Sequence, residues 1–193
     1  MGNSVLTIGH STHPMGHFLH LLELHNIEVV ADVRSSPFSR RNAQYNRENL
    51  QESLKAADIS YVFFGEELGA RSDDPACYLD NKVQYDRLAK TAIFQVGIQQ
   101  VIERAETYRV ALMCAEKEPL ECHRIILIAR ELNNRGLEIF HILADGTMET
   151  HSDAISRLIK QLGLNEKDLF TTVEESRDMA YAKQAERIAY VRK

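Results

Sequence analysis

Long apolar runs are missing from this chain of 193 residues. No stretch approaches the roughly 18 apolar residues that span a bilayer, so no membrane-crossing segment is expected. Cysteine is scarce. Cys77, Cys114 and Cys122 cannot all pair, and their spacing is not that of a disulfide scaffold. They point to a reducing cytoplasm. A basic excess is also missing. The formal net charge of -5 argues against a protein that coats nucleic acid nonspecifically, while allowing a local basic site. The opening Met1-Gly2-Asn3-Ser4-Val5 shows no basic region followed by an apolar one, so no secretory leader is expected. Leu6 stands where myristoylation needs Ser or Thr. Internal repeats and low-complexity segments are absent. What is present, 44% apolar and 26% charged residues, is the composition of one large globular domain that can bury a core.

Five β-rich runs alternate with helical patterns: residues 5–9, 27–33, 59–64, 110–114 and 138–143. The second is continuously apolar apart from Glu28 and Asp32, as in a strand covered on both faces. Met15, Phe18, Leu21 and Leu22 recur at helical spacing after a start signal at Thr12 and Pro14. Residues 47–57 read as a second helix and 65–80 as a long loop. Residues 83–108 read as a helix broken near Gly97. Residues 122–135 form another, stopped by Gly136. Ser152 is expected to cap a helix over 153–162, followed by a charged helical tail from about Glu174. These elements predict an α/β fold: a single three-layer domain with a mainly parallel sheet of about five strands flanked by helices, plus a C-terminal helical extension. Residues 1–150 would form the α/β domain and 151–193 the extension.

If the strands are parallel, their polar ends share one edge of the sheet, the usual ligand crevice of open α/β folds. The first run ends at Gly9-His10-Ser11, the second at Asp32-Val33-Arg34 and the fourth at Cys114-Ala115-Glu116. The fifth carries His141. The densest segment is Cys114-Ala-Glu-Lys-Glu-Pro-Leu-Glu-Cys122-His123-Arg124. Cys122 near a helix start is placed to ionise, and Arg124 to hold an anion. Cys114, Cys122 and His123, helped by His10 or His141, could instead ligate a metal. The spacing is not a standard zinc spacing, however, and neighbours 122 and 123 diverge on a helix. Taken singly, either cysteine reads as plain core, whereas the segment as a whole reads as functional. Arg34, Arg40, Arg41 and Arg47 fall in one stretch without an acid, suited to phosphate or carboxylate. Phe38 and Tyr45 there could stack on a base. Asp32 could orient Arg34, ligate a metal or act as a base. His13, His17 and His20, like His25 and His151, read as solvated.

Thr7-Ile8-Gly9-His10-Ser11-Thr12, Asp32-Val33-Arg34-Ser35 with Pro37, Ser39 and Arg40, and Cys114-Ala115-Glu116 with Pro119, Cys122, His123 and Arg124 occur in that order. Together with Tyr61, Leu68-Gly69, Arg71 and His141-Ile142, they resemble the bacterial and archaeal family known as domain of unknown function 488. The resemblance spans roughly residues 5 to 145. Ala70 stands where that family often has a second glycine. The resemblance implies a compact α/β domain and marks the same strand ends, and it brings no reaction with it. Rhodaneses and cysteine phosphatases are similar only in outline. Nine residues separate Cys114 from Arg124 here, and one separates Cys122 from Arg124.

The leading expectation is an enzyme acting on a small anionic or nucleotide-like ligand. His10, Ser11, Arg34, Arg40, His123, Arg124 and His141 would bind the ligand, and Asp32, Glu116, Cys114 and Cys122 would carry the chemistry. A metal-dependent site is the second reading. A nucleic-acid or regulatory binding module is the third and less favoured one. The motifs specify no cofactor and no oligomeric state.

Overall fold

The computed structural model describes residues 4–164 and 172–192. The first three residues and the start of the less apolar stretch at 165 lie outside it. The sheet has six strands: β1 (Ser4–Gly9), β2 (Val29–Asp32), β3 (Ser60–Phe63), β6 (Val110–Cys114), β7 (Glu138–Ile142) and β8 (Met148–Thr150), in the order β3-β2-β6-β1-β7-β8. β1, β2, β3, β6 and β7 are parallel, and β8 alone runs antiparallel, against β7. The turn between β7 and β8 is Asp145-Gly146, with Gly146 at φ 86° and the Asp145 carboxylate accepting from Thr147 N–H.

Alternation along each strand builds two cores. Leu6, Ile8, Val30, Ala111, Met113 and Ile142 meet Phe18, Leu21 and Leu22 of α1 (Met15–Leu24) and Leu50 and Leu54 of α2 (Arg47–Ala56). Val5, Val29, Ala31, Val110, Leu112, Cys114 and Ile139 face the other way. They are covered by α3 (Gly65–Leu68), α4 (Tyr85–Leu88), α5 (Ala92–Ala105), α6 (Arg130–Asn134), α7 (His151–Gln161) and α8 (Val173–Ile188). Helices thus lie on both faces. No helix among the described residues is long and apolar enough to cross a membrane.

Several boundaries differ from the sequence expectation. The helical pattern of residues 83–108 breaks before Thr91, whose hydroxyl accepts from Phe94 N–H and starts α5. Gly97 lies within α5, where a Cβ would meet the Glu67 side chain at 2.6 Å. The helix over 151–161 is capped by Thr150 rather than Ser152. The expected loop over 65–80 contains α3, a 3-10 turn (Pro75–Cys77) and the first strand of a ribbon, β4 (Tyr78–Leu79) with β5 (Lys82–Val83). Asp80 and Asn81, both at positive φ, make its two-residue turn, a conformation these residue types tolerate. The chain end then runs beside this ribbon: Val83 N–H donates to Tyr190 O at 2.9 Å and Arg192 N–H to Asn81 O at 2.8 Å.

Candidate functional site

The C-terminal ends of β1, β2 and β6 meet at one edge, as parallel strands require. The chain is drawn tightly together there. His10 N–H donates to Cys114 O at 2.9 Å, and Ser11 N–H to Ala115 O at 3.0 Å. A Cβ at Gly9 would lie 1.9 Å from Glu116 O, so only glycine lets β1 pass the turn after β6. The Arg124 guanidinium braces that turn from beneath, donating to Glu116 O at 2.8 Å and Lys117 O at 3.4 Å. Glu118 caps the 3-10 turn Pro119–Glu121, which carries the chain back over β6.

That return brings Cys122 and His123 above Cys114. Cys122 precedes the helix in extended backbone, φ -134° and ψ 142°. The helical rod starts only at Arg124, as a π-helical segment (Arg124–Ala129) running into α6. The expected divergence of residues 122 and 123 is therefore overturned, because Cys122 is not helical. His123 Nδ1 lies 3.8 Å from both Cys114 Sγ and Cys122 Sγ, and Nε2–H donates to Val33 O at 3.1 Å. Glu116 Oε2 lies 3.0 Å from Cys122 Sγ, and Arg124 N–H reaches the same sulfur at 3.4 Å.

Cys114, Cys122, His123 and Arg124 are buried while Glu116 is exposed, and each shifts its neighbours. Burial opposes ionisation of Cys122, but the Cys114 thiol, the Arg124 guanidinium and the His123 imidazole outweigh it, holding Cys122 well below the ordinary thiol range. The Cys122 sulfur, with burial, holds Cys114 well above it. Burial disfavours the His123 imidazolium, yet Cys122 beside it raises His123. Partial loss of water where it meets the sulfurs, then Cys122 itself, push the Glu116 carboxyl up.

Asp32 faces the α1–α2 side, opposite Cys114, because it pairs with Met113 in register. Its Oδ1 accepts from Arg34 N–H at 3.1 Å and Nε–H at 2.8 Å. Its Oδ2 accepts from Arg34 Nη2–H at 2.6 Å and the Tyr61 hydroxyl at 2.8 Å. All four lone-pair positions of the carboxylate are used, so Asp32 positions Arg34 and is not a free base. Arg34 Nη1 lies 3.2 Å from His10 Nε2, and His10 Nδ1 lies 2.8 Å from Ser11 O. The carbonyl can only accept, so Nδ1 carries the proton and Nε2 accepts from Arg34. Burial, reinforced by Arg34 against the Ser11 bond, lowers His10 to about 4. His10 also stacks on Tyr45 at 4.1 Å.

Arg34 links the two sides. With Ser35, Ser36, Arg71, Tyr85, Cys114, Glu116, Glu121 and His123, it lines a cleft of about 260 Å³. Ile188 and Tyr190 from the chain end form its remaining wall, and Arg71 lies over the Tyr190 ring at 4.6 Å. Two larger depressions, of about 570 and 560 Å³, lie among the helices around Arg130 and Tyr181, away from the strand ends. The site follows the chemistry rather than the volume.

Not every expected residue is brought here. Arg124 is fully buried and spends its Nη donors on the turn, so it braces the loop rather than facing the cleft. Arg40 is exposed on the loop after β2. Tyr45 is fully buried against His10 and Phe18, so it offers no stacking face. Phe38 stays exposed. Ser11 is half-buried at φ 48°, and its carbonyl rather than its hydroxyl serves His10. His141 belongs to a second buried chain, on the face covered by α7 and α8. Thr7 Oγ1 lies 2.8 Å from His141 Nδ1, His141 Nε2 lies 3.1 Å from His151 Nδ1, and His151 Nε2 lies 2.7 Å from the Tyr181 hydroxyl. His151 and His25 are buried, not solvated as their spacing suggested. Helix α8 covers His151, and His25 bonds Gly146 O at 2.9 Å. Arg71, Tyr85 and Tyr190 are wall residues that the strand-end reasoning missed. Only Arg71 carried a signal, through the family pattern.

Fold and site together define an open α/β domain with a thiol–imidazole–carboxyl cluster at the crevice of its parallel strands. The family described as Domain of unknown function DUF488 matches residues 15–130. That is more than half of the chain, and the chain belongs to this family. No curated protein and no solved structure matches it.

Proposed function

We propose that the protein is an enzyme acting on a small anion bound between the C-terminal ends of β2 and β6. The observation that carries this reading is the convergence of two arginines with the Cys114, Glu116 and His123 side chains on one cleft. Asp32 neutralises Arg34 and fixes its orientation. Arg71 makes no ion pair among the described residues, so its charge is the one available to a ligand. The cleft lies below the roughly 300 Å³ at which pockets for drug-sized ligands begin. That size favours a phosphate- or carboxylate-sized group over a whole nucleotide. Glu116, whose carboxyl the neighbouring Cys122 helps to raise, is the acid or base, and the sulfur cluster beside it is the floor of the reacting centre.

Calorimetric titration with inorganic phosphate tests the reading. The wild type binds, and Arg71→Ala weakens binding by about 10-fold, as loss of one charge-assisted hydrogen bond implies. Arg40→Ala leaves it unchanged. No binding of phosphate, sulfate or acetate by the folded protein, or equal losses in both variants, would overturn it.

A further inference from the structure

We propose that Cys114, Cys122 and His123 hold a zinc-class divalent cation at the floor of this cleft. Their donor atoms all lie within 4.8 Å of one another. Both sulfur–nitrogen separations are 3.8 Å. A tetrahedral cation with metal–sulfur bonds of about 2.3 Å and metal–nitrogen bonds of about 2.1 Å places sulfur and nitrogen about 3.6 Å apart and the two sulfurs about 3.8 Å apart, so the imidazole stands within a few tenths of an ångström of its place and the sulfurs close by about an ångström at most.

The surroundings fit a ligand set as well as the distances do. A ligating histidine normally anchors its far ring nitrogen on a carbonyl or carboxylate, which fixes the ring and turns the other nitrogen to the metal. His123 Nε2–H donates to Val33 O, and Nδ1 faces both sulfurs. A sulfur ligand is anionic and is supported by nearby donors. Cys122 Sγ receives Arg124 N–H, with the buried Arg124 guanidinium close behind. One nitrogen and two thiolates as donors select zinc over the oxygen-seeking magnesium or calcium.

Three protein donors leave one position to a fourth partner, as in catalytic zinc sites. Cys114, His123 and Glu116 line the cleft, so that position faces the cleft beside Arg34 and Arg71. An anion held by the arginines would place an oxygen on the cation. The cation's role rests on the anion-enzyme reading, whereas its ligands do not. With the cation bound, the sulfurs would serve as its ligands.

The test uses reduced, metal-free full-length protein titrated with Co(II) alone. The expected result is about one equivalent bound, with the intense visible bands of tetrahedral cobalt and a sulfur-to-cobalt band in the near ultraviolet. Cys114→Ala or Cys122→Ala lowers affinity by about 100-fold or more, and Cys77→Ala leaves it unchanged. Because the first two thiols are buried, the unmodified chain supplies a second readout. Zn(II) must slow alkylation of Cys114 and Cys122, read by mass spectrometry. Less than about a tenth of an equivalent bound, weak octahedral bands, or alkylation indifferent to zinc overturns the proposal. Phosphate binding that survives while cobalt fails removes the cation alone. Cobalt binding without phosphate binding removes the anion reading alone.

Discussion

Asp32 and Cys114 end neighbouring strands, yet the pleat turns them to opposite faces. On the Asp32 side each strong polar group has a partner: the carboxylate takes two bonds on each oxygen, and both His10 nitrogens are occupied. On the Cys114 side two thiols, one imidazole nitrogen and a carboxyl crowd together, and their longest contacts are weak sulfur ones. Both sides hold a buried histidine and a carboxyl group, Asp32 buried and Glu116 exposed. Saturation, rather than residue type, separates the half that positions from the half that can react.

The largest effect should come from breaking the saturated half. Asp32→Asn leaves the Arg34 charge buried without its counter-ion and should cost about 3–5 kcal/mol in denaturant unfolding. A smaller loss would mean that Arg34 turns out to solvent. The closed chain Thr7–His141–His151–Tyr181 extends the comparison to a buried region away from the strand-end cleft. His151→Gln should cost about 1–3 kcal/mol near pH 7, by leaving His141 and Tyr181 without their partner.

That chain also has a pH signature. Burial lowers His151 to about 4 and His141 well below its ordinary value. The unfolded chain takes up these protons first, from about pH 6.5. The stability they protect is whole above 6.5 and is lost as pH falls toward 4. Unfolding followed across that window should show a shallower slope in His151→Gln than in the wild type. Tyr61→Phe removes one of four bonds to Asp32 and should cost about 1 kcal/mol, with phosphate binding unaltered. Arg40→Ala, exposed and outside the cleft, should change stability by about 0.5 kcal/mol or less.

The strand ends were legible because apolar runs and their polar termini are local patterns. Gly136, at φ 86°, was legible as a helix stop for the same reason. The strand ending at Gly9 begins one residue before the expected run 5–9, and the strand ending at Cys114 falls where composition placed it. What was hidden depends on contacts distant in sequence. Nothing near His151 announces that α8 will cover it. Nothing near Tyr190 announces that it will close a cleft built by residues 34 to 123. The convergence of Cys122 with His123 was hidden by a single assumption, that the helix begins at Cys122 rather than after His123. Asp145-Gly146 is a hairpin signal, but its second strand, Met148–Thr150, is too short to show alternation.

The most direct measurement follows alkylation of the reduced, metal-free wild type by iodoacetate, an anionic reagent, and by neutral iodoacetamide. The modified cysteines are located by mass spectrometry, with and without phosphate. If the cleft pairs an anion-attracting rim with reactive sulfur, Cys114 or Cys122 is labelled before Cys77. Iodoacetate is then favoured over iodoacetamide more than it is with free cysteine, and phosphate slows the reaction. Labelling confined to Cys77, no preference for the anionic reagent, or indifference to phosphate would contradict the account.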